Sequence, residues 1–453
     1  MGLFIETSQE SLLELELEGV RTNWLLLALS SILQKLFLWL QVPLAIFGAF
    51  LEFTLNFFSL NGGLFGLIIK IIKGTVVFPN KNSADYRSVI AFDDERLDLH
   101  KTCSLLSNGL PQFIPLATAT CFTLLDLCMM ASKVAYENEA YIKNAVTNHW
   151  QMEFVEFFKD YDTQAFIFCD RPEDANIIVV AFRGTQPFNG RDWVTDVDFS
   201  WISMGEMGRA HVGFMKALGM QDEKDYRKGW PKDYEGEKEK PLAYYAIRET
   251  LKTLLLKHPN AKIVVTGHSL GGALAAVFPA ILRLHEENAV LGSLWGLITY
   301  GQPRVGDETF ASYVEAVAQL NASLCFRAVY RYDAVPRVPF DGVLFQFKHF
   351  GNCIYYNGWI VHVCFIDQVM REEPNRNGLN PLYIVSKYYH ALGDLIKALF
   401  LGMKEGPEFK ETGFSIFIRF ALLILPEIAS HFPRDYVNAA RLGKITLSAK
   451  EIV

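Results

Sequence analysis

One serine lies between glycines in Gly267-His268-Ser269-Leu270-Gly271-Gly272, directly behind the β-branched run Ile263-Val264-Val265. The apolar run predicts a buried strand. The small residues that follow, among them Ala273, Ala275 and Ala276, predict a closely packed helix start. Strand, Gly-x-Ser-x-Gly and helix together form a nucleophile elbow, a tight turn that holds the serine hydroxyl clear of the sheet. The helix N-terminus aims unsatisfied amides at negative charge developing on a substrate. Such a serine suits acyl transfer. A glycine-rich loop or a plain helix cap has the same local look, so its partners decide the reading.

A serine hydroxyl is a poor nucleophile until a base takes its proton, and the base needs an acid to orient it. On a hydrolase sheet the chain order is Ser, acid, His. Asp333 follows an expected strand end at Val329-Tyr330, where catalytic groups collect in open sheets. Asp307 is the rival, with a turn or helix-capping role as its alternative. Five histidines follow the serine: His285, His349, His362, His390 and His431. His285 falls on a charged helical surface, His362 at a core-like position and His390 at the edge of an apolar helix. By spacing alone, His431 and His349 stand level. For the oxyanion, Leu270 supplies one amide. Thr185, in the turn Phe182-Arg183-Gly184-Thr185, is placed to supply the second.

These groups need a scaffold. Strands are expected at Ala165–Cys169, Ile177–Phe182, Lys262–Val265, Leu297–Tyr300 and Cys325–Tyr330, giving an α/β fold with a predominantly parallel sheet. Residues 112–158 read as mostly helical, and Gln221–Lys240 as a solvent-exposed loop. Three regions result: an apolar 1–80, a mainly helical lead-in over 81–160, and a catalytic domain over 161–453.

The apolar region is the most unusual in composition. Residues 36–69 carry a single charge, Glu52, with Pro43 and Asn61-Gly62-Gly63 as punctuation. Neither uncharged half reaches the roughly 20 residues of a clean bilayer crossing. A hairpin or re-entrant anchor, one tilted crossing, and helices packed on the domain all fit. Bulky side chains on nearly every side favour lipid contact. The stretches Ala391–Leu401 and Phe414–Leu425 are either core helices or a second membrane contact.

At 453 residues and a net charge of −7, with no concentrated basic patch, the chain has no nucleic-acid footprint. Seven cysteines without a Cys-x-x-Cys pair fit buried thiols in a reducing compartment rather than a disulfide framework or zinc site. The acidic N-terminus lacks signal-peptide character and misses the myristoylation pattern at Glu6. The chemistry calls for no metal or organic cofactor. Nothing in the sequence excludes a homo-oligomer.

Several motifs jointly resemble the class 3 lipases, the family of the secreted fungal triacylglycerol lipases. They are Phe182-Arg183-Gly184-Thr185, His211-Val212-Gly213-Phe214, Gly267-His268-Ser269-Leu270-Gly271-Gly272, Tyr300-Gly301-Gln302-Pro303-Arg304-Val305-Gly306 and Asp333-Ala334-Val335-Pro336-Arg337-Val338-Pro339. The resemblance implies an α/β-hydrolase with Ser269 as nucleophile, Asp333 as acid, and Thr185 and Leu270 as oxyanion donors. The family's histidine lies near the domain's C-terminal end with an aromatic shortly after it. His431 and Tyr436 match, which moves His431 ahead of His349. The spacing from Asp333 implies an insertion at about 366–426. Phe188–Asp196 occupies the place of the fungal lid, with Trp193 as the residue to meet lipid. With its apolar N-terminal region, the segment Ala131-Ser132-Lys133-Val134-Ala135-Tyr136-Glu137-Asn138, the long insertion and the ending His431-Phe432-Pro433-Arg434-Asp435-Tyr436-Val437-Asn438-Ala439-Ala440-Arg441-Leu442-Gly443, the arrangement is most similar to the plant oil-body lipases. That implies triacylglycerol hydrolysis at a cytosol-facing lipid-droplet surface, with the endoplasmic reticulum or another internal membrane as the alternative location. A phospholipase or galactolipase, an acyltransferase, and a non-catalytic droplet scaffold are the competing functions.

Overall fold

The computed structural model describes residues 24–100, 119–160, 163–196, 201–220, 230–233, 242–319, 324–339, 346–357, 364–366, 381–443 and 445–447. His362 and most of the Gln221–Lys240 loop lie outside these residues. Seven strands form one sheet in chain order: β1 Glu153–Lys159, β2 Gln164–Cys169, β3 Ile177–Phe182, β4 Lys262–His268, β5 Leu294–Tyr300, β6 Leu324–Tyr330 and β7 Asn352–Tyr356. The first three pair antiparallel. From β3 to β7 every pairing is parallel. The helices that matter for the site are α1 Trp24–Leu60, α2 Gly63–Lys73, α3 Val89–Asp93, α4 Ala119–Val134, α5 Gly190–Asp196, α6 Ala243–Lys257, α7 Leu270–Leu284, α8 Glu308–Gln319, α9 Pro381–Lys404, α10 Gly413–Ala421 and α11 Pro433–Leu442. This is the α/β-hydrolase architecture that the sequence implied.

Helices cover both sheet faces. Ile178, Val180 and Phe182 pack in the cluster containing α6, α7 and α8, while Val179 and Ala181 pack with α4 and α11. Burial on both sides makes a parallel strand a continuous apolar run. The central strands therefore stand out in the sequence.

Residues 153–158, expected to close a helix, instead form β1. A bulge at Val155 explains the misleading pattern: Phe154 pairs with Phe168 and Glu156 with Ile167, so Val155 is an extra residue. Phe154 and Phe157 then share one face, and Val155 and Phe158 the other. That spacing of three imitates a helix. The edge strand β7, with the buried run Cys353-Ile354-Tyr355-Tyr356, lies beyond the expected strands.

The apolar region folds as α1, unbroken through Pro43, a turn at Asn61-Gly62, and α2. By length and composition α1 could cross a membrane. Glu52 and Asn56 of α1, and Asn61 in the turn after it, face the domain. Glu52 accepts from Val89 N (3.3 Å) and Tyr86 Oη (3.4 Å). Asn56 exchanges two hydrogen bonds with the Arg87 backbone (2.8 and 2.9 Å), and Asn61 two with that of Val77 (2.8 and 2.9 Å). The opposite side is bare: Trp39 is 75% exposed, and Phe65 of α2 82%.

Candidate active site

Strand β4 ends at His268 and α7 begins at Leu270, so Ser269 alone makes the turn, at φ 60° and ψ −131°. A non-glycine residue in that region is strained and persists only where its surroundings fix it. Here Ser269 N donates to Tyr300 O at 2.9 Å. At Gly271 a side chain would collide with the backbone of Phe182 and Arg183. Its absence lets the α7 N-terminus close against the loop after β3, which brings Leu270 and Thr185 to the same end of the sheet.

His431 sits in the turn between the short helix Pro426–Ala429 and α11. Its Nδ1 donates to Asp333 Oδ2 at 2.8 Å. Asp333, in the turn after β6, is fully buried, and its Oδ2 also accepts from Tyr436 Oη at 2.5 Å while Oδ1 accepts from Val335 N at 2.9 Å. A carboxylate only accepts, so the His431 proton belongs on Nδ1 and Nε2 presents its lone pair. That Nε2 is buried and has no hydrogen-bond partner.

His268 fixes the other side of the imidazole's turn. Its Nε2 donates to His431 O at 2.9 Å, and its Nδ1 accepts from Tyr136 Oη at 2.9 Å. The two histidine rings stack at 4.6 Å. Burial, with His431 adding to it, holds His268 neutral well below the usual histidine range, as that hydrogen-bond pattern requires. Gly301, at φ +55°, clears the remaining space. A Cβ there would lie 2.9 Å from His431 Cε1 and 3.0 Å from Asp333 Oδ2.

The loop after β3 is tied to the helix that follows it. Asp192 of α5 accepts from Gln186 N (2.9 Å), pairs with Arg183 (3.3 Å) and accepts from Asn189 Nδ2 (2.7 Å). Thr185 therefore sits between two residues held by one buried carboxylate. Trp193, on the same helix, stacks on Phe37 of α1 at 5.8 Å, and Phe188 meets Phe47 edge-on at 5.5 Å. Between α1 and this loop lies a cavity of about 260 Å³ lined by Ala45, Gly48, Ala49, Val89, Tyr136 and Phe188.

The structure thus gathers Ser269, Asp333, His431, Thr185 and Leu270 at the C-terminal ends of the parallel strands and sets Trp193 against α1. The rivals are elsewhere employed. Asp307 Oδ1 caps α8 through Phe310 N at 2.9 Å. His349 is buried with Nε2 on Pro336 O at 2.7 Å. His285, expected on a charged surface, is instead buried between Tyr244 Oη (2.8 Å) and Trp230 O (3.0 Å). His390 lies against Tyr332. Among the described residues no cluster of His, Cys, Asp and Glu could hold a metal ion.

Sequence reasoning gave no role to His268, Tyr136, Asp192 or the Arg331–Asp394 pair (2.7 Å) beside Asp333. The histidine beside the nucleophile was the one available signal. Tyr136 and the Arg331–Asp394 pair act across long chain separations, whereas Asp192 binds within nine residues of itself and is hidden as an ordinary polar residue in a turn.

A class 3 lipase family model matches residues 179–343. The triacylglycerol lipase OBL1 of Nicotiana tabacum is 40% identical over 92% of this chain and 82% of its own. OBL1 of Arabidopsis thaliana is 36% identical over 96% and 87%. A Rhizomucor miehei lipase is 31% identical over only 42% of this chain and 44% of its own. Lipase II from Rhizopus niveus, a solved structure, is 24% identical over 53% of this chain and 82% of its own, at a TM-score of 0.38.

Proposed function

The chain belongs to the class 3 lipase family, and on that premise we propose that it hydrolyses acyl esters of stored triacylglycerol at an oil-body surface, using Ser269, His431 and Asp333. One observation carries the catalytic assignment: His431 is bonded through Nδ1 to a buried carboxylate while Nε2 is left free beside the elbow.

In this reading His431 Nε2 takes the Ser269 proton as the hydroxyl oxygen attacks the ester carbonyl. Asp333 holds the imidazole in the required tautomer and stabilises the imidazolium. The amides of Thr185 and Leu270 receive the oxyanion. His431 then protonates the departing glycerol oxygen, leaving an acyl-enzyme. Water, deprotonated by the same nitrogen, releases the fatty acid. Tyr436 gives Asp333 a second hydrogen-bond donor, which helps hold the carboxylate in place. The helix carrying Trp193 covers the approach, and its contact with Phe37 joins that cover to the apolar helix α1. The bare faces of α1 and α2 seat the chain on the cytosolic side of the droplet.

Hydrolysis of emulsified triolein by wild type, Ser269→Ala, His431→Ala and His349→Ala tests the assignment. The first two variants should lose about 10⁴-fold or more in kcat, and His349→Ala should keep its activity. Substantial turnover by Ser269→Ala would overturn it. Fluorophosphonate labelling that disappears in Ser269→Ala separates the enzyme from a non-catalytic scaffold.

A further inference from the structure

The helices α9 and α10, in the insertion ahead of His431, turn their apolar sides to solvent. On α9 the exposed positions Val385, Tyr389, Leu392, Ile396, Leu399 and Met403 recur at the spacing of a single helix face, with Tyr389 at 73% and Met403 at 77% exposure. On α10 and the turn after it, Phe417, Phe420 and Ile424 are exposed in the same way.

The inward faces hold charge: α9 is pinned to the turn that carries Asp333, and α10 to the first turn of α11, just after His431. Asp394 of α9 pairs with Arg331 at 2.7 Å, two residues before Asp333, and Ser386 bonds Tyr332 Oη at 2.6 Å. Arg419 of α10 pairs with Asp435 at 2.6 Å, four residues after His431. Ser415 O and Oγ accept from Arg434 Nη1, each at 3.1 Å. Helices with buried ion pairs and bare aliphatic faces are inverted relative to those of a water-facing domain. A contiguous apolar patch of this kind marks an interaction site.

We propose that α9 and α10 form a second lipid-contact face, separate from α1, that seats the Asp333 and His431 side of the site on a phospholipid-coated neutral-lipid surface. This rests on the lipase reading, since an insoluble substrate must be met in its own phase. Composition selects lipid over a second copy. The most exposed charges of α9 are Lys397, 4.0 Å from Asp394, and Lys404, 3.5 Å from Glu405. The only carboxylate of α9, Asp394, is buried and α10 has none, so the same face of a second copy would offer these lysines no counter-charge. Anionic headgroups would accept them, and Tyr388 and Tyr389 fit the interfacial layer.

The test uses the full chain on triolein emulsions coated with phosphatidylcholine and phosphatidylserine. Val385→Glu, Leu392→Glu and Leu399→Glu combined should lower emulsion binding and triolein kcat/KM by about tenfold or more. Hydrolysis of dissolved p-nitrophenyl butyrate should change by less than about twofold, which reports an intact site. Leu256→Glu, at an exposed leucine on α6, should change neither. Unchanged binding and triolein turnover in the triple variant would overturn the proposal. So would a dimer-to-monomer shift in the triple variant with binding retained, which would make the face a self-association surface. A second measurement does not depend on turnover: Tyr389→Trp should add fluorescence quenched by brominated phospholipid beyond the wild-type level, and no added quenching would count against lipid contact. Wild type inert on both esters would defeat the lipase reading, with the quenching result still deciding the contact.

Discussion

The two longest helices, α1 and α9, are built alike and attached differently. Both point apolar side chains outward and turn a few polar ones onto the domain. The pegs of α1 and the turn that ends it are Glu52, Asn56 and Asn61, and they bond chiefly to backbone in the segment 77–89. The pegs of α9 are Ser386 and Asp394, and they bond side chains flanking Asp333. The first attachment holds a helix in place. The second connects a helix to the reacting groups, and on the proposal above it connects lipid contact to them as well. Similar amphipathic design thus serves anchoring in one region and positioning in the other.

Breaking the α9 attachment should have the larger effect. Asp394→Ala leaves the buried Arg331 guanidinium without its carboxylate, which costs about 3 kcal/mol. The loosened turn at Asp333 should lower kcat on dissolved and emulsified esters alike by on the order of 10-fold to 100-fold. Steady-state kinetics on both substrates beside chemical denaturation checks this. A loss confined to emulsions would show that α9 acts through lipid contact alone.

Asn61→Ala attacks the other attachment. It removes two hydrogen bonds to Val77 and leaves that backbone unpaired, a cost of about 1–3 kcal/mol. Hydrogen exchange should rise at residues 75–90, while p-nitrophenyl butyrate turnover stays within about twofold of wild type. A matching fall in turnover would erase the distinction between the helices.

The smallest effect concerns the seat beneath α1. Burial pushes the Glu137 carboxyl up to about 7, although Ser88 donates to it. With the folded value above the unfolded one, the folded state holds the extra proton between about 4.5 and 7. Stability from this group is therefore present at low pH and lost as pH rises through 7. Glu137→Gln should flatten the fall in Tm between pH 5 and 7.5 by a few degrees. An unchanged slope would assign the pH dependence to other groups, such as Asp93, also raised to about 7 by burial.

The central strands and the elbow were legible because buried parallel strands and a close-packed turn leave short, local signatures. The edge strand β1 was not, since its bulge converts a period of two into an apparent period of three. His285 was misplaced because charged sequence neighbours say nothing of Tyr244 packing against it from another helix. The alternatives for the apolar regions stayed open for a related reason. Composition reports how apolar a helix is, whereas which face meets water depends on what packs against it.

By itself the sequence determined the nucleophile turn, the central strands and the types of residue available for acid and base, since each depends on neighbours within a few positions. The residue-only reading left His431 and His349 level, and only family resemblance separated them. Tertiary structure puts His431 Nδ1 on Asp333, 98 residues away in the chain, and leaves His349 on a backbone carbonyl. It also decided that the lone carboxylate of α1 faces inward, and that the charges of α9 and α10 brace the catalytic loops. The physical reason is common to all of these: a hydrogen bond or ion pair requires two groups at bonding distance, and only the folded chain sets distances between residues remote in sequence.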